Sequence, residues 1–205
     1  DKFIFASEIK SILKYNISKS LDNESLVQYF QYNFIPEPQT IFKQIETLAP
    51  GQYMNVRADK TITKDTYTSE QHTDTSLSIT EALEQAIQKR LIADVDLGCF
   101  LSGGIDSTII SGFASQIHQG IHTFSVGYRD NKFFDESQFA EIAAKKFNTN
   151  HHTFMLGEHE LLQHVDDLFR TMDQPFADSS ALPTYILAKE TRKHVKVALS
   201  GDGAD

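Results

Sequence analysis

The chain has 205 residues, of which 40% are hydrophobic and 23% charged, and its net charge is −9. Those proportions are ordinary for a globular protein, and the acidic balance speaks against a general nucleic-acid surface, so any polyanion must be met locally. One cysteine excludes an internal disulfide and fits a reducing compartment.

No apolar run approaches the roughly 18 residues of a membrane span, and the start "DKFIFASEIK" lacks a signal-peptide layout. The expectation is a soluble, cytoplasmic protein that meets neither membrane nor nucleic acid. The chain starts at Asp1 rather than Met and stops at Asp205 soon after an apolar run, which reads as an internal fragment of a longer protein.

Ile9, Ile12 and Leu13 after Ser7 predict a first helical stretch. Leu26, Val27, Phe30 and Phe34 predict a second over 21–34, with Asp22 as its N-cap. Its aromatic part, "YFQYNF" (29–34), reads as domain core. "IPEPQ" cannot continue a helix. Two strands, 52–57 and 61–67, follow around a turn at Asp59. Residues 68–77 are polar and aperiodic, and read as a linker.

Beyond the linker the pattern changes. Ser78 and Glu81 form a capping box ahead of the stripe Leu83, Ala86, Ile87, Leu91. Strands are predicted at 97–101, 122–127, 152–156 and 195–199, and helices at 106–118, 136–147, 159–172 and 183–194. Short apolar strands alternating with helices predict an α/β fold with a parallel sheet covered on both faces.

In such a sheet, ligands sit beyond the carboxyl ends of the strands. The loop "LSGGIDST" (101–108) lies at such an end. Gly103 and Gly104 expose backbone N–H groups, Ser102 and Ser107 add hydroxyls, and the helix start adds partial positive charge, which together cradle an anion. Asp106 suits that cradle when Mg²⁺ bridges it to phosphate oxygens. The spacing is neither a Walker loop nor G-x-G-x-x-G. The same residues also read as a plain capped turn. The last strand ends in a second serine–glycine–carboxylate loop, "SGDGAD" (200–205). In a parallel sheet both loops face the same way, so Asp106 and Asp205 would share a metal while Ser200 and Gly201 line a nucleotide.

The first loop resembles the SGGxDS pyrophosphate loop of the ATP pyrophosphatases. The ordered set "FASEIKSIL", "PGQY", "DVDLGCFLSGGIDST", "TFSVGY", "DESQFAEIAAKKF", "HHTF", "DQPFADSSALPTY" and "VALSGDGAD" resembles the bacterial type of glutamine-hydrolysing asparagine synthetase, essentially from end to end. The resemblance implies that residues 1–67 are the C-terminal part of an Ntn-type α+β glutaminase (class II amidotransferase) domain. It makes 68–77 a linker and 78–205 the first part of an adenine nucleotide alpha-hydrolase-like synthetase domain.

It further implies an ATP- and Mg²⁺-dependent ligase of asparagine biosynthesis, using aspartate and glutamine or ammonia, with a homodimer as one option. By position, Leu101, Ser102, Gly103, Gly104, Asp106, Ser107, Val126, Ser200 and Gly201 would bind the nucleotide. Asp106 and Asp205 would hold magnesium. Asp202 would serve in forming the acyl-adenylate, where many members carry the longer glutamate. The cysteine nucleophile would lie upstream of Asp1 and part of the aspartate pocket beyond Asp205, so the stretch alone is expected to be inactive. Amidation of another carboxylate, on a sugar or antibiotic precursor, and a nucleotide-binding module without chemistry are the alternatives.

Among other residues, Cys99 reads as a small buried hydrophobe. His151 and His152 point to opposite faces of a strand and read as packing or surface rather than a metal pair. "DQPFADSS" (173–180) is a capped loop with Pro183 in the following first turn. The resemblance brings Asp178, Ser179 and Ser180 near the substrate.

Overall fold

The computed structural model describes residues 2–67 and 76–203. Residues 68–75 of the expected linker, and the expected metal ligand Asp205, lie outside the described residues. Contacts group the chain into two units: Asp1–Thr73 with Asp167–Ser179, and Asp74–Asp166 with Ser180–Asp205.

In the first unit, α1 (Ile9–Ile12) is a single turn without a cap from its own N-cap side chain. Asp173 caps it instead, its carboxylate oxygens accepting from the backbone N–H of Ile9 at 2.6 Å and Lys10 at 3.2 Å. Helix α2 (Asn23–Tyr32) starts where the sequence places it, with Asp22 accepting from the Ser25 backbone N–H at 3.0 Å. Strands β1 (Gln52–Val56) and β2 (Ile62–Thr66) pair antiparallel. Asp59 organises their turn by accepting from the Thr61 N–H at 2.9 Å.

The expectation that 29–34 is core is overturned: Phe30 is 75% exposed, Tyr32 55% and Phe34 47%. Periodicity marks an apolar face but not what covers it. The hairpin of this unit has a largely exposed surface of its own.

The second unit opens with α3 (Ile79–Arg90), which carries the expected Ser78–Glu81 capping box. Then come β3 (Leu97–Phe100), α4 (Ile105–Ile117), β4 (His122–Tyr128), α5 (Ser137–Phe147) and β5 (Asn150–Leu156). The segment expected as one helix over 159–172 is two, α6 (Glu158–Gln163) and α7 (Val165–Thr171), parted at His164. The chain passes from the second unit to the first within α7. Helix α8 (Ala181–Thr191), with Pro183 in its first turn, and β6 (Val197–Leu199) complete the unit.

The four strands form one parallel sheet in the order β5-β4-β3-β6. Helices cover it on both faces, as the strand–helix alternation requires. Cys99 and Leu101 are fully buried, the first among Ile87, Leu91, Ala114 and Ile121, the second against Ala140, Ala143 and Ala144 of α5. Cys99 is thus the buried hydrophobe expected, and burial pushes its thiol up to about 12.

His151 and His152 do face opposite ways. His151 sits between the Thr123 and Ser125 hydroxyls, at 2.9 and 3.2 Å, while His152 bonds His122 at 2.9 Å. No helix among the described residues is long and apolar enough to cross a membrane.

Candidate functional site

The chain runs β3 to β4 to β5 in one direction across the sheet, then returns to place β6 on the other side of β3. The strand order reverses there, and a crevice beyond the carboxyl ends is expected at such a point. A cavity of about 460 Å³ occupies that place.

The loop after β3 forms its floor. Gly103 has φ +89, and a Cβ there would lie 2.5 Å from Phe139 Cβ and 2.7 Å from the Ala140 nitrogen. Only glycine fits both that backbone and that approach of α5. Gly104 is the N-cap of α4 and offers no side chain for capping, which leaves the first-turn N–H groups of that helix open to a ligand.

Ser102 and Ser107, expected to add hydroxyls to the cradle, also organise the loop itself. Ser107 Oγ donates to the Gly104 carbonyl at 3.2 Å, accepts from the Ser102 N–H at 3.2 Å, and lies 3.0 Å from Ser102 Oγ. Asp106 stands in the first turn of α4 and lines the cavity. Its carboxylate has no hydrogen-bond or ion-pair partner among the described residues.

The loop after β6 closes against that turn. A Cβ on Gly201 would lie 2.8 Å from the Ser107 nitrogen and 3.2 Å from the Asp106 carbonyl carbon. Ser200 Oγ donates to Asp202 Oδ2 at 2.6 Å and accepts from the Asp202 N–H at 3.2 Å, so the two share a tight turn. Among the sequence-nominated residues, Leu101, Ser102, Gly104, Asp106, Ser107, Val126, Ser200, Gly201 and Asp202 all line the one cavity. Gly103 lies in its loop without being part of the lining. Asp205 is outside the described residues, and no set of three or more His, Cys, Asp or Glu among those described could hold a metal ion.

Of the loop 173–180, Ser180 and the neighbouring Pro183 line the cavity, while Asp178 and Ser179 belong to the other unit. Sequence reasoning missed Tyr128, Phe134, Glu136, Thr184 and Leu187, which also line it. The available signal was position: Tyr128 ends β4, and Phe134 and Glu136 follow it at its carboxyl end, as the Ser-Gly loops follow β3 and β6. Desolvation raises the Tyr128 phenol above its ordinary value. Asp135 ties this loop down, accepting from the Ser137 N–H at 3.1 Å and the Tyr128 N–H at 3.4 Å. Its hydrogen bonds with Ser137, aided by the Tyr128 N–H, hold its carboxyl below the usual carboxylate range.

The cavity is therefore chemically lopsided. Loop amides, hydroxyls and the carboxylates of Asp106 and Asp202 gather at the β3–β6 side, while the β4–α8 side sets apolar Phe124, Val126, Phe134, Pro183 and Leu187 among the polar Ser125, Glu136, Ser180 and Thr184. That arrangement suits an extended molecule with a polyanionic end and a flat apolar end.

The family model for asparagine synthase matches residues 78–205, and that for a glutamine amidotransferase domain matches residues 1–68. Asparagine synthetase (glutamine-hydrolyzing) 1 of Bacillus subtilis is 34% identical over 212 residues, covering 100% of this chain and 33% of that protein. The "Putative asparagine synthetase (glutamine-hydrolyzing) 2" of Methanocaldococcus jannaschii is 33% identical over 218 residues, covering 100% of this chain and 42% of that protein. The chain thus spans a third to two-fifths of the relatives it matches. Among solved structures, the NH3-dependent NAD synthetase of Campylobacter jejuni is similar at 15% identity and a TM-score of 0.38, covering 56% of this chain and 51% of that one.

Proposed function

The chain belongs to the asparagine synthase family, and from that premise we propose that it is the ATP-handling part of a glutamine-dependent, asparagine-forming ligase. In this reading residues 1–67 close a glutaminase domain, 68–77 link, and 78–205 open the synthetase domain. The matched ranges, 1–68 and 78–205, support that division. Glutamine supplies ammonia. The aspartate side-chain carboxylate attacks the α-phosphorus of ATP, pyrophosphate leaves, and ammonia displaces AMP from β-aspartyl-AMP to give asparagine.

The chemistry asks for two things the cavity offers. A carboxylate resists attack by ammonia until its oxygen becomes a leaving group. Forming the adenylate also places new charge on departing pyrophosphate, which fixed amide dipoles stabilise best. The Gly103–Gly104 loop and the start of α4 would hold the pyrophosphate end, with Ser102 and Ser107 keeping the loop in shape. Val126 would pack on the nucleoside, with Leu101, its side chain buried against α5, backing the cavity at the end of β3, and Ser200 and Gly201 would close the opposite wall. Asp202 would face the acyl-adenylate.

Asp106, without a hydrogen-bond or ion-pair partner among the described residues, is a hard-oxygen donor beside the proposed phosphate position, which fits Mg²⁺ bound by one or two carboxylates and substrate oxygens. Asp205 would be the second. The metal, when bound, would offset the charge of the leaving group.

One observation carries the reading: two Ser-Gly-carboxylate loops, far apart in sequence, meet at one cavity beyond the carboxyl ends of β3 and β6. The test is ATP–pyrophosphate exchange by the full-length protein with Mg²⁺, offered aspartate and then a panel of other acids, with Asp106→Asn in parallel. Exchange with aspartate that is lost in the variant is the expected result. Exchange only with another acid would move the enzyme to a different acceptor, and exchange with none would remove the ligase reading.

A further inference from the structure

The β4 side of the cavity holds a carboxylate that the proposed reaction leaves unused. Glu136 lines the cavity next to Phe134 and Tyr128, and its side chain makes no hydrogen bond or ion pair among the described residues. Its neighbour Asp135 is spent on backbone N–H groups at both ends of the turn. That bonding fixes the segment between β4 and α5 and leaves the Glu136 side chain without a partner among the described residues. Asp106 and Asp202, the other carboxylates in the lining, belong to the loops after β3 and β6.

Strand order separates these groups. β6 and β3 carry the Ser-Gly loops, and β4 lies on the other side of β3. A nucleotide with its phosphates on the loop amides therefore has its sugar and base toward β4, against Val126 and the α8 residues Pro183 and Leu187. A carboxylate there repels phosphate and gains nothing from the apolar face of a base, whose edge offers it at most the one exocyclic amine. It needs neutral donors, and a ribose presents two adjacent hydroxyls in the geometry that one carboxylate accepts.

Resting on the nucleotide reading above, we infer that Glu136 accepts hydrogen bonds from the 2′- and 3′-hydroxyls of the ribose, and so makes the site selective for ribonucleotides. The ammonium of an amino-acid substrate is the rival claimant for a free carboxylate. That substrate must reach the α-phosphorus, however, on the far side of the sugar from the base-binding wall.

The experiment is calorimetric titration of the full-length protein with Mg-ATP and Mg-2′,3′-dideoxy-ATP, for wild type, Glu136→Gln and Glu136→Ala. A charge-assisted hydrogen bond sets the scale, so wild type is expected to prefer ATP by about tenfold or more. Glu136→Ala should lower ATP affinity to that of the dideoxy compound, leave the dideoxy compound unchanged, and keep the wild-type melting profile; Glu136→Gln should fall between. Equal loss for both nucleotides would overturn the inference while leaving the ATP site standing. So would an unchanged ATP preference with a raised KM for the acid substrate. If wild type binds neither nucleotide, the ATP-site reading itself fails and this inference falls with it.

Discussion

A Cβ on Gly201 would stand 2.8 Å from the backbone nitrogen of Ser107, so the loop after β6 touches the first turn of α4 with no room for a side chain. Backbone cannot yield as a flexible side chain would. Gly201→Ala must therefore push the two loops apart or displace the helix start. Overpacking of this kind costs about 1–3 kcal/mol. We expect lower stability by that amount in urea unfolding, together with weaker ATP binding. A variant with unchanged stability and binding would mean the loops do not meet as described.

Ser107 carries more of the loop than its place in the motif suggests. Its hydroxyl serves the Ser102 N–H, Ser102 Oγ and the Gly104 carbonyl while 8% exposed. Ser107→Ala removes the partner of the Ser102 N–H, while the Gly104 carbonyl keeps the Thr108 N–H and Ser102 Oγ keeps the Gly104 N–H. The loss is therefore about 1 kcal/mol, the worth of one hydrogen bond. The ligand-free variant should melt lower than wild type. Were its melting unchanged and only ATP binding lost, the hydroxyl would be a ligand contact and not a brace.

Protonation should weaken the second unit through its histidines. His122, His152 and His194 lie together over the sheet, with ring centroids 5.2 Å apart for His122–His152 and 4.4 Å for His152–His194. Burial first, and then the neighbouring imidazoles His194, His122 and His151, lower the His152 pKa below its ordinary value of 6.5. Burial also lowers that of His151, on the other face, against an opposing pull from Glu141.

A depressed folded-state value means that the unfolded chain takes up protons first as pH falls. The full contribution to stability is therefore present above pH 6.5 and is lost as pH drops from there toward the lowered folded value. Unfolding midpoints in urea should rise between pH 5.5 and 7.5. His152→Phe, which keeps a ring beside Phe124 and His194, should flatten that rise. Parallel pH profiles for the two proteins would count against the histidine account.

Cys99 offers a reporter of the sheet. It is 0% exposed, and burial pushes its thiol up to about 12, so almost no thiolate exists at pH 8. Ellman's reagent should leave it untouched in native buffer and label it in step with unfolding by denaturant. Rapid labelling of the native protein would contradict the packing around β3.

What could be read from sequence follows the reach of each interaction. Asp22 and Ser78 were legible as caps because each bonds an N–H three residues on. The two Ser-Gly loops were legible because glycine and serine at strand ends are informative without knowledge of the strand order. Asp173 capping α1 was not, since its partner lies 164 positions away. Glu136 and Phe134 stayed hidden because their place beside the cavity depends on β4 pairing with β3, which no local pattern encodes. The aromatic stripe of α2 looked like core because periodicity reports a face, and its exposure depends on what packs there. The mutual bonding of Ser102 and Ser107 was missed for a subtler reason: a motif names donors but not the direction in which they are spent.

The return of the chain to β3 also bears on synthesis. During translation, β3, β4 and β5 leave the ribosome in spatial order and pair as they come. The strand that closes the cavity wall emerges only after roughly ninety further residues beyond Ser107. Until β6 docks, the first loop lacks its opposing wall. Ligand would then stabilise only chains in which that docking is complete, by an amount set by its concentration relative to its dissociation constant. On the function proposed above, nucleotide in the cell would favour the chains in which β6 has docked.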